Sequence, residues 1–195
     1  MDLKYPVTKY FYRKFSRPTA RFLNKLKLKP NQVTFLSFIL GILSGFIFYY
    51  KAYIVGLIVL FISEVLDCAD GDLARLQKKV SKKGEFIDSF LDRIVEVAIF
   101  YGLILTNPSQ LMFIGTLALI WSLLVSYARS KAEIIGISCD IGIASRDIRM
   151  LIFMLAVLFQ PLYMNSIYYG FILIGILSFI TVIQRFYCVY SKLKK

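Results

Sequence analysis

Val33–Tyr50 reads VTFLSFILGILSGFIFYY, eighteen residues without a charge. A helix of about 20 residues crosses roughly 30 Å of hydrocarbon, so this stretch predicts a membrane helix. Apolar stretches recur after it, at Tyr53–Leu66, Ile94–Leu105, Leu111–Ala128, Leu151–Met164 and Ile167–Ile183. Several are shorter than a span and must borrow flanking residues. The chain has 195 residues and is 58% hydrophobic, against roughly 45–50% for soluble domains. The expected fold is an all-α integral membrane protein with six transmembrane helices in residues 31–195. The basic, aromatic N-terminus has no short apolar core with a cleavage site, so no signal peptide is expected.

Charge predicts the orientation. The first thirty residues hold nine Lys or Arg and one acid, Asp2. The connection after the second helix holds Arg75, Lys78, Lys79, Lys82 and Lys83, and that after the fourth holds Arg129, Lys131, Arg146 and Arg149. The tail adds Arg185, Lys192, Lys194 and Lys195. The other connections carry only Lys51. Positive loops stay in the cytoplasm, so both termini and the two basic connections are expected there, in the cell membrane. The net charge of +12 is explained by this anchoring and by anionic lipid heads, and no nucleic-acid partner is expected.

Residues 1–30 form a separate cytoplasmic basic segment. Val7, Phe11 and Phe15 recur at a spacing of four among Lys and Arg, Pro18 interrupts, and Phe22, Leu23 and Leu26 follow. This spacing suits an amphipathic helix lying in the headgroup layer. Cys68, Cys139 and Cys188 form no CxxC pair and lie toward the cytoplasmic side, so thiols are expected. The chain has no histidine, which excludes Ser-His-Asp and Cys-His catalysis and most zinc sites.

The acids concentrate in Asp67–Asp92, DCADGDLARLQKKVSKKGEFIDSFLD, with five aspartates and one glutamate. Asp67 and Asp70 share one helical face, continued by Gly71 and Ala74, which leave room for a bulky group against the backbone. Arg75 is a fixed cation suited to phosphate. Asp88 and Asp92 share a face of the next helix. The short connection lets the two helices be antiparallel neighbours, so the four carboxylates can converge. Like charges brought together repel, and hard divalent cations such as Mg²⁺ relieve this while also binding substrate phosphate. Two such ions can bridge a diphosphate. Asp72 lies off this face and reads as a solvated acid. Glu85 shares the Asp88–Asp92 face, Glu96 lies one turn beyond Asp92, and Glu64 has no assigned role.

Asp67, Asp70, Gly71, Ala74, Arg75, Gly84, Asp88 and Asp92 reproduce DxxDGxxAR-x8-GxxxDxxxD, eight fixed positions in twenty-six. This resembles the signature of the CDP-alcohol phosphotransferases. The resemblance implies six helices around a polar cavity open to the cytoplasm, often in a homodimer. It implies two metal ions, Mg²⁺ or Mn²⁺, on Asp67, Asp70, Asp88 and Asp92, with Asp92 also the base that activates the acceptor hydroxyl. It places CDP against Gly71, Ala74, Arg75 and Gly84. KPNQVT (Lys29–Thr34) is similar to the family's PNxxT entry, where Asn31 and Thr34 assist or cap the helix.

Tyr127–Glu133, then Gly142–Arg149, then Gln184–Arg185 are similar in order to the inositol-phosphate branch of that family. Arg129 and Lys131 stand where that branch has Lys and then Arg. The resemblance implies an acceptor-phosphate pocket of Arg129, Arg146 and Arg185, with Lys131 nearby. The implied reaction joins a CDP-linked lipid to inositol phosphate and releases CMP. A lysine- and isoleucine-rich chain without histidine suits a heat-adapted prokaryote, which favours CDP-archaeol over CDP-diacylglycerol as donor. The alternatives are di-inositol phosphate synthesis from CDP-inositol, another acceptor such as glycerol phosphate or serine, and, from a different class, a divalent-cation transporter.

Overall fold

A computed structural model describes residues 7–139 and 141–193, with side chains from Lys14 onward. Every described element is an α-helix: α1 (Val7–Lys25), α2 (Pro30–Tyr49), α3 (Tyr53–Leu76), α4 (Lys82–Ile104), α5 (Pro108–Ile134), α6 (Arg146–Phe159) and α7 (Ser166–Leu193). The last six coincide with the six apolar stretches, each extended at one or both ends. The side chains of Val7 and Phe11 lie outside the described residues.

The helices are inverted relative to those of a water-soluble domain. α2 buries Val33, Thr34, Ser37, Gly41, Ser44, Gly45 and Phe48, and it exposes Phe35, Leu36, Ile39, Leu43 and Phe46. Small and hydroxylated residues therefore face the other helices, and large apolar ones face outward. That is the arrangement of helices packed in lipid, where close approach and internal hydrogen bonds hold the contact. The buried hydroxyls are satisfied locally: Ser37 donates to Thr34 O at 2.8 Å, Ser44 to Gly41 O at 2.7 Å, and Ser63 to Ser37 O at 2.7 Å. α2, α5 and α7 are long and apolar enough to cross a membrane.

The chain forms two compact units, one ending at Thr106 and the other beginning at Asn107. In the first, α2 is the central helix, and α3 and α4 each pack along it. This differs from the side-by-side α3–α4 pair expected from their short connection. The reason is glycine. A Cβ at Gly45 would lie 2.6 Å from Ala98 O, and Gly102 sits directly on the Gly45 carbonyl. The Gly41–Gly45 pair thus draws α4 onto α2.

α1 packs on α3. Ala20 and Leu23 join Val33, Ala69 and Leu73 in one buried cluster, with Leu28 and Leu66 against it. Gln77 Nε2 closes the end of this packing by donating to Leu28 O at 2.8 Å and Asn24 Oδ1 at 3.1 Å. The helix runs through Pro18 instead of breaking there. Pro18 cannot donate to the carbonyl of Lys14, but both residues are exposed, so water can serve that carbonyl.

In the second unit α5 and α6 pack on α7. The segment between α5 and α6 lies along the C-terminal half of α7. Arg185 Nε donates to Ile141 O at 3.0 Å, Ala144 N to Thr181 Oγ1 at 2.9 Å, and Lys192 Nζ to Ser138 O at 2.6 Å. Cys139 and Cys188 form a disulfide in the same seam, and only Cys68 remains a thiol among the described residues. Three thiols were expected; the backbone contacts along α7 bring two of them together across a separation of 49 residues.

Candidate active site

The facing ends of α3 and α4 hold the acids, with the N-terminal end of α2 beside them. Asp67 and Asp70 come from α3 and Asp88 from α4, and one carboxylate oxygen of each lies within 4.8 Å of the others. Asp70 is buried at 6% exposure. The Thr34 hydroxyl, from the second turn of α2, donates to Asp70 Oδ2, with Pro30 O also in reach at 3.1 Å. Thr34 therefore orients a carboxylate and is not a helix cap. The first turn of α2 is closed instead by Gln32 Oε1, which accepts from Lys29 N at 2.9 Å.

Asp92, one turn along α4 from Asp88, is not within that group of three. Its Oδ2 lies 3.5 Å from Arg93, whose other terminal nitrogen holds Glu96 at 2.7 Å. Glu96 is fully buried and pairs with Arg93 beside Asp92. Glu64 is buried in α3, and Glu85 is exposed in the first turn of α4.

Among the small residues of the signature, Gly71 opens space and Gly84 makes a close approach. A Cβ at Gly71 would meet nothing closer than the Arg75 guanidinium, at 3.7 Å. A Cβ at Gly84 would lie 3.2 Å from Ser81 Oγ and 3.8 Å from Asn31 Oδ1, which brings the starts of α2 and α4 together. Ser81 caps α4 by accepting from Gly84 N at 3.1 Å. Ala74 is half-buried between these features.

Asp72 is not a solvated acid. It accepts from the buried Ser16 hydroxyl of α1 at 2.7 Å and pairs with Arg75 at 2.7 Å. It thus joins α1 to the signature arginine. Helical spacing carries no signal for this, because Ser16 lies 56 residues away.

The second unit carries the cations. Arg129 pairs with Glu133 at 2.8 Å, both exposed, and Lys131 lies over the Tyr127 ring, 5.6 Å from its centroid. Arg146 is half-buried in the first turn of α6. Arg185 is buried and directs Nε to Ile141 O and Nη1 to Val125 O, so part of its work is to hold the α5–α6 segment. Arg149, which the sequence reading left out of the pocket, is 1% exposed and donates to Ala144 O at 2.9 Å. An apolar pocket at the α6–α7 turn, lined by residues such as Phe159, Tyr163 and Met164, holds no charged group and no chemistry.

A helical fold with a three-carboxylate cluster in this sequence pattern defines a class. The profile of the CDP-alcohol phosphatidyltransferase family matches residues 27–184, and the chain belongs to that family. It is 40% identical over 166 residues to the archaetidylinositol phosphate synthase of Pyrococcus horikoshii, covering 85% of each chain. It is 31% identical over 186 residues to the archaetidylinositol phosphate synthase of Methanothermobacter thermautotrophicus, covering 93% of this chain and 92% of that one. A crystal structure of the Mycobacterium tuberculosis phosphatidylinositol phosphate synthase, in complex with manganese and citrate, superposes with a TM-score of 0.83 at 25% identity. That match covers 90% of this chain and 89% of the other.

Proposed function

We propose that the protein transfers a phosphatidyl-type group from a CDP-linked lipid to inositol phosphate, forming a lipid-linked inositol phosphate and CMP. The observation that carries this reading is the convergence of Asp67, Asp70 and Asp88 from two helices that both pack on α2. A cation transporter needs acids but has no use for the Gly-Ala-Arg set between them. The names and full-length similarity of the relatives support inositol phosphate as acceptor and archaeol as the lipid.

An all-oxygen set of clustered carboxylates fits a hard divalent cation. Asp67, Asp70 and Asp88, with Asp92 nearby on α4, would hold Mg²⁺ or Mn²⁺, two ions in the full site. Bound there, the metal supplies charge stabilisation on the diphosphate. Arg75, the open backbone at Gly71, and Ala74 and Gly84 take the CDP moiety, with Asn31 and Thr34 bordering it. Asp92 accepts the proton of the acceptor hydroxyl, whose oxygen attacks the lipid-bearing phosphorus as the bond to CMP breaks. Arg93, held by Glu96, fixes the orientation of Asp92. Arg146 binds the acceptor phosphate directly, with Arg129 and Lys131 at its rim. Arg185 completes the pocket and secures the segment that presents it.

Residues 31–195 act as one six-helix membrane domain, with α1 as an interfacial helix. Phe15 and Phe22 are exposed on α1, and Leu26 just beyond it, among Lys14, Arg17, Arg21 and Lys25, as a helix at the lipid surface requires. The termini and the active site face the cytoplasm, and the enzyme works as a homodimer.

The test is an assay of purified protein with Mg²⁺ or Mn²⁺ and each of CDP-archaeol, CDP-diacylglycerol and CDP-inositol. Each donor is paired with inositol phosphate, inositol, glycerol phosphate or serine. CMP release is expected to be fastest from a CDP-lipid with inositol phosphate. Asp92→Asn is expected to bind nucleotide with turnover reduced at least about a hundredfold. Preference for uncharged inositol would remove the reason for the arginine pocket.

A further inference from the structure

Where the α5–α6 segment meets α7, two oxygens next in the chain to Arg146 and Arg185 are used by no group among the described residues. Ser145 Oγ and Gln184 Oε1 are both buried and have no hydrogen-bond partner among the described residues. Ser145 stands at the N-cap position of α6, yet its side chain makes no cap bond. Gln184 immediately precedes Arg185, and Ser145 immediately precedes Arg146.

The backbone sets these residues side by side. Ala144 N donates to Thr181 Oγ1 at 2.9 Å, and Arg185 Nε holds Ile141 O at 3.0 Å. Gly142, at φ +126, approaches Thr181 so closely that any side chain would strike the threonine methyl. Ser145 follows Ala144, and Gln184 lies one helical turn from Thr181. The segment is therefore laid against the very turn of α7 that carries Gln184.

A buried oxygen without a donor is destabilising, and folded proteins rarely tolerate it without a purpose. Thr181, on the same turn, shows that bonding is available there: its hydroxyl donates to Leu177 O at 2.8 Å while accepting from Ala144 N. Ser178 Oγ, two turns before Arg185, is likewise buried without a partner, but it lies deeper in α7. What distinguishes Ser145 and Gln184 is adjacency in the chain to the two arginines of the acceptor pocket. An arginine takes phosphate. A glutamine amide and a serine hydroxyl take hydroxyls, each able both to accept and to donate.

We propose that Gln184, with Ser145, binds the ring hydroxyls of the acceptor polyol, so that acceptor recognition is divided between arginines for the phosphate and this pair for the polyol. This inference rests on the acceptor reading above. A site built to bond hydroxyls discriminates strongly against acceptors that lack them. It therefore names these two residues as the ones that separate inositol phosphate from smaller phosphorylated alcohols.

Gln184→Met keeps the length of the side chain and removes both hydrogen-bonding groups. The variant is expected to raise KM for inositol phosphate by about tenfold to a hundredfold. KM for the CDP-lipid and inhibition by inorganic phosphate are expected to stay within about twofold, because neither engages a polyol. Ser145→Ala is expected to move the same parameter in the same direction by a smaller factor, and serves where the Gln184 variant folds poorly. An unchanged KM for inositol phosphate in both variants overturns the proposal. So does a parallel loss of phosphate inhibition and donor binding, which marks a structural role. A wild-type enzyme that ignores inositol phosphate overturns the acceptor reading itself, and this inference with it.

Discussion

The Thr34 hydroxyl decides more of the site than its size suggests. It reaches from α2 to Asp70 on α3, so a carboxylate of the acidic cluster is oriented by the helix on which both acidic helices pack. Partners that orient a ligand commonly change metal affinity by about ten- to a hundredfold when removed. Thr34→Val keeps the shape and deletes the bond. A Mn²⁺ titration of turnover should show half-activation at about ten- to a hundredfold higher ion concentration, with the rate at saturating Mn²⁺ nearly restored. A normal titration would make Thr34 a packing residue. At this scale the sequence announced the carboxylates through their spacing of three and four. It was silent on their supports, because Thr34 and Asp70 are 36 residues apart and Ser16 and Asp72 are 56 apart. Asp72 looked solvated because helical spacing reports which face a residue shares, not which distant helix covers that face. The basic residues were legible as a set, but their division of labour was not. Arg185 and Arg149 bind backbone carbonyls, a use that leaves no trace in spacing.

Among the helices, the hydrophobic pattern located every element from α2 to α7, and the charges inside α3 and α4 marked where each leaves the apolar zone. The packing order was harder to foresee. GILSG (Gly41–Gly45) is a GxxxG, which in membrane helices means close packing but does not name the partner, which is α4. Two alanine substitutions separate close packing from mere helix propensity. Alanine favours a helix over glycine by about 0.8–1.0 kcal/mol. At Gly175 the new Cβ would meet only Ala118, at 3.6–3.7 Å for its carbons, so Gly175→Ala should match or exceed the wild type in thermal unfolding in detergent. At Gly45 it would press on the Ala98 carbonyl at 2.6 Å, and overpacking of this kind destabilises by about 1–3 kcal/mol. Gly45→Ala should therefore unfold earlier and lose turnover, since α4 carries Asp88 and Asp92. Equal unfolding of the two variants would remove the glycine contact as the organiser of the site. The Cys139–Cys188 bond belongs to this scale as well, because it fastens the α5–α6 segment to α7. Cross-links typically contribute about 2–4 kcal/mol. Cys139→Ser should lower the unfolding temperature and weaken acceptor binding more than donor binding. A variant indistinguishable from the wild type in both would show that the hydrogen bonds of the seam suffice.

For the whole chain, the decisive quantity is where charge sits along the sequence relative to the apolar helices. The α3–α4 connection carries Lys78 and Lys79 before Lys82 and Lys83 open α4, and all four are exposed. The connections after α2, α4 and α6 contain a single cation, Lys51. Lys and Arg in short loops set orientation, and the donor is a CDP-lipid whose polar half must be drawn from water on one side only. A cation-rich face also concentrates both anionic substrates near the aspartates, through the attraction that juxtamembrane lysines exert on anionic heads. On the proposed orientation the same lysines set the topology and attract the substrates, and the sidedness is open to direct test. In a background with Cys68 changed to serine, Lys79→Cys is placed in the α3–α4 connection and Tyr163→Cys in the α6–α7 turn. A membrane-impermeant thiol reagent should label Tyr163→Cys from outside intact cells and Lys79→Cys only in inverted vesicles. Labelling of both positions from the same side would break the six-helix reading, since an odd number of crossings must separate these two turns. Labelling of Lys79→Cys from outside would instead keep the helices and reverse the face on which the substrates are met.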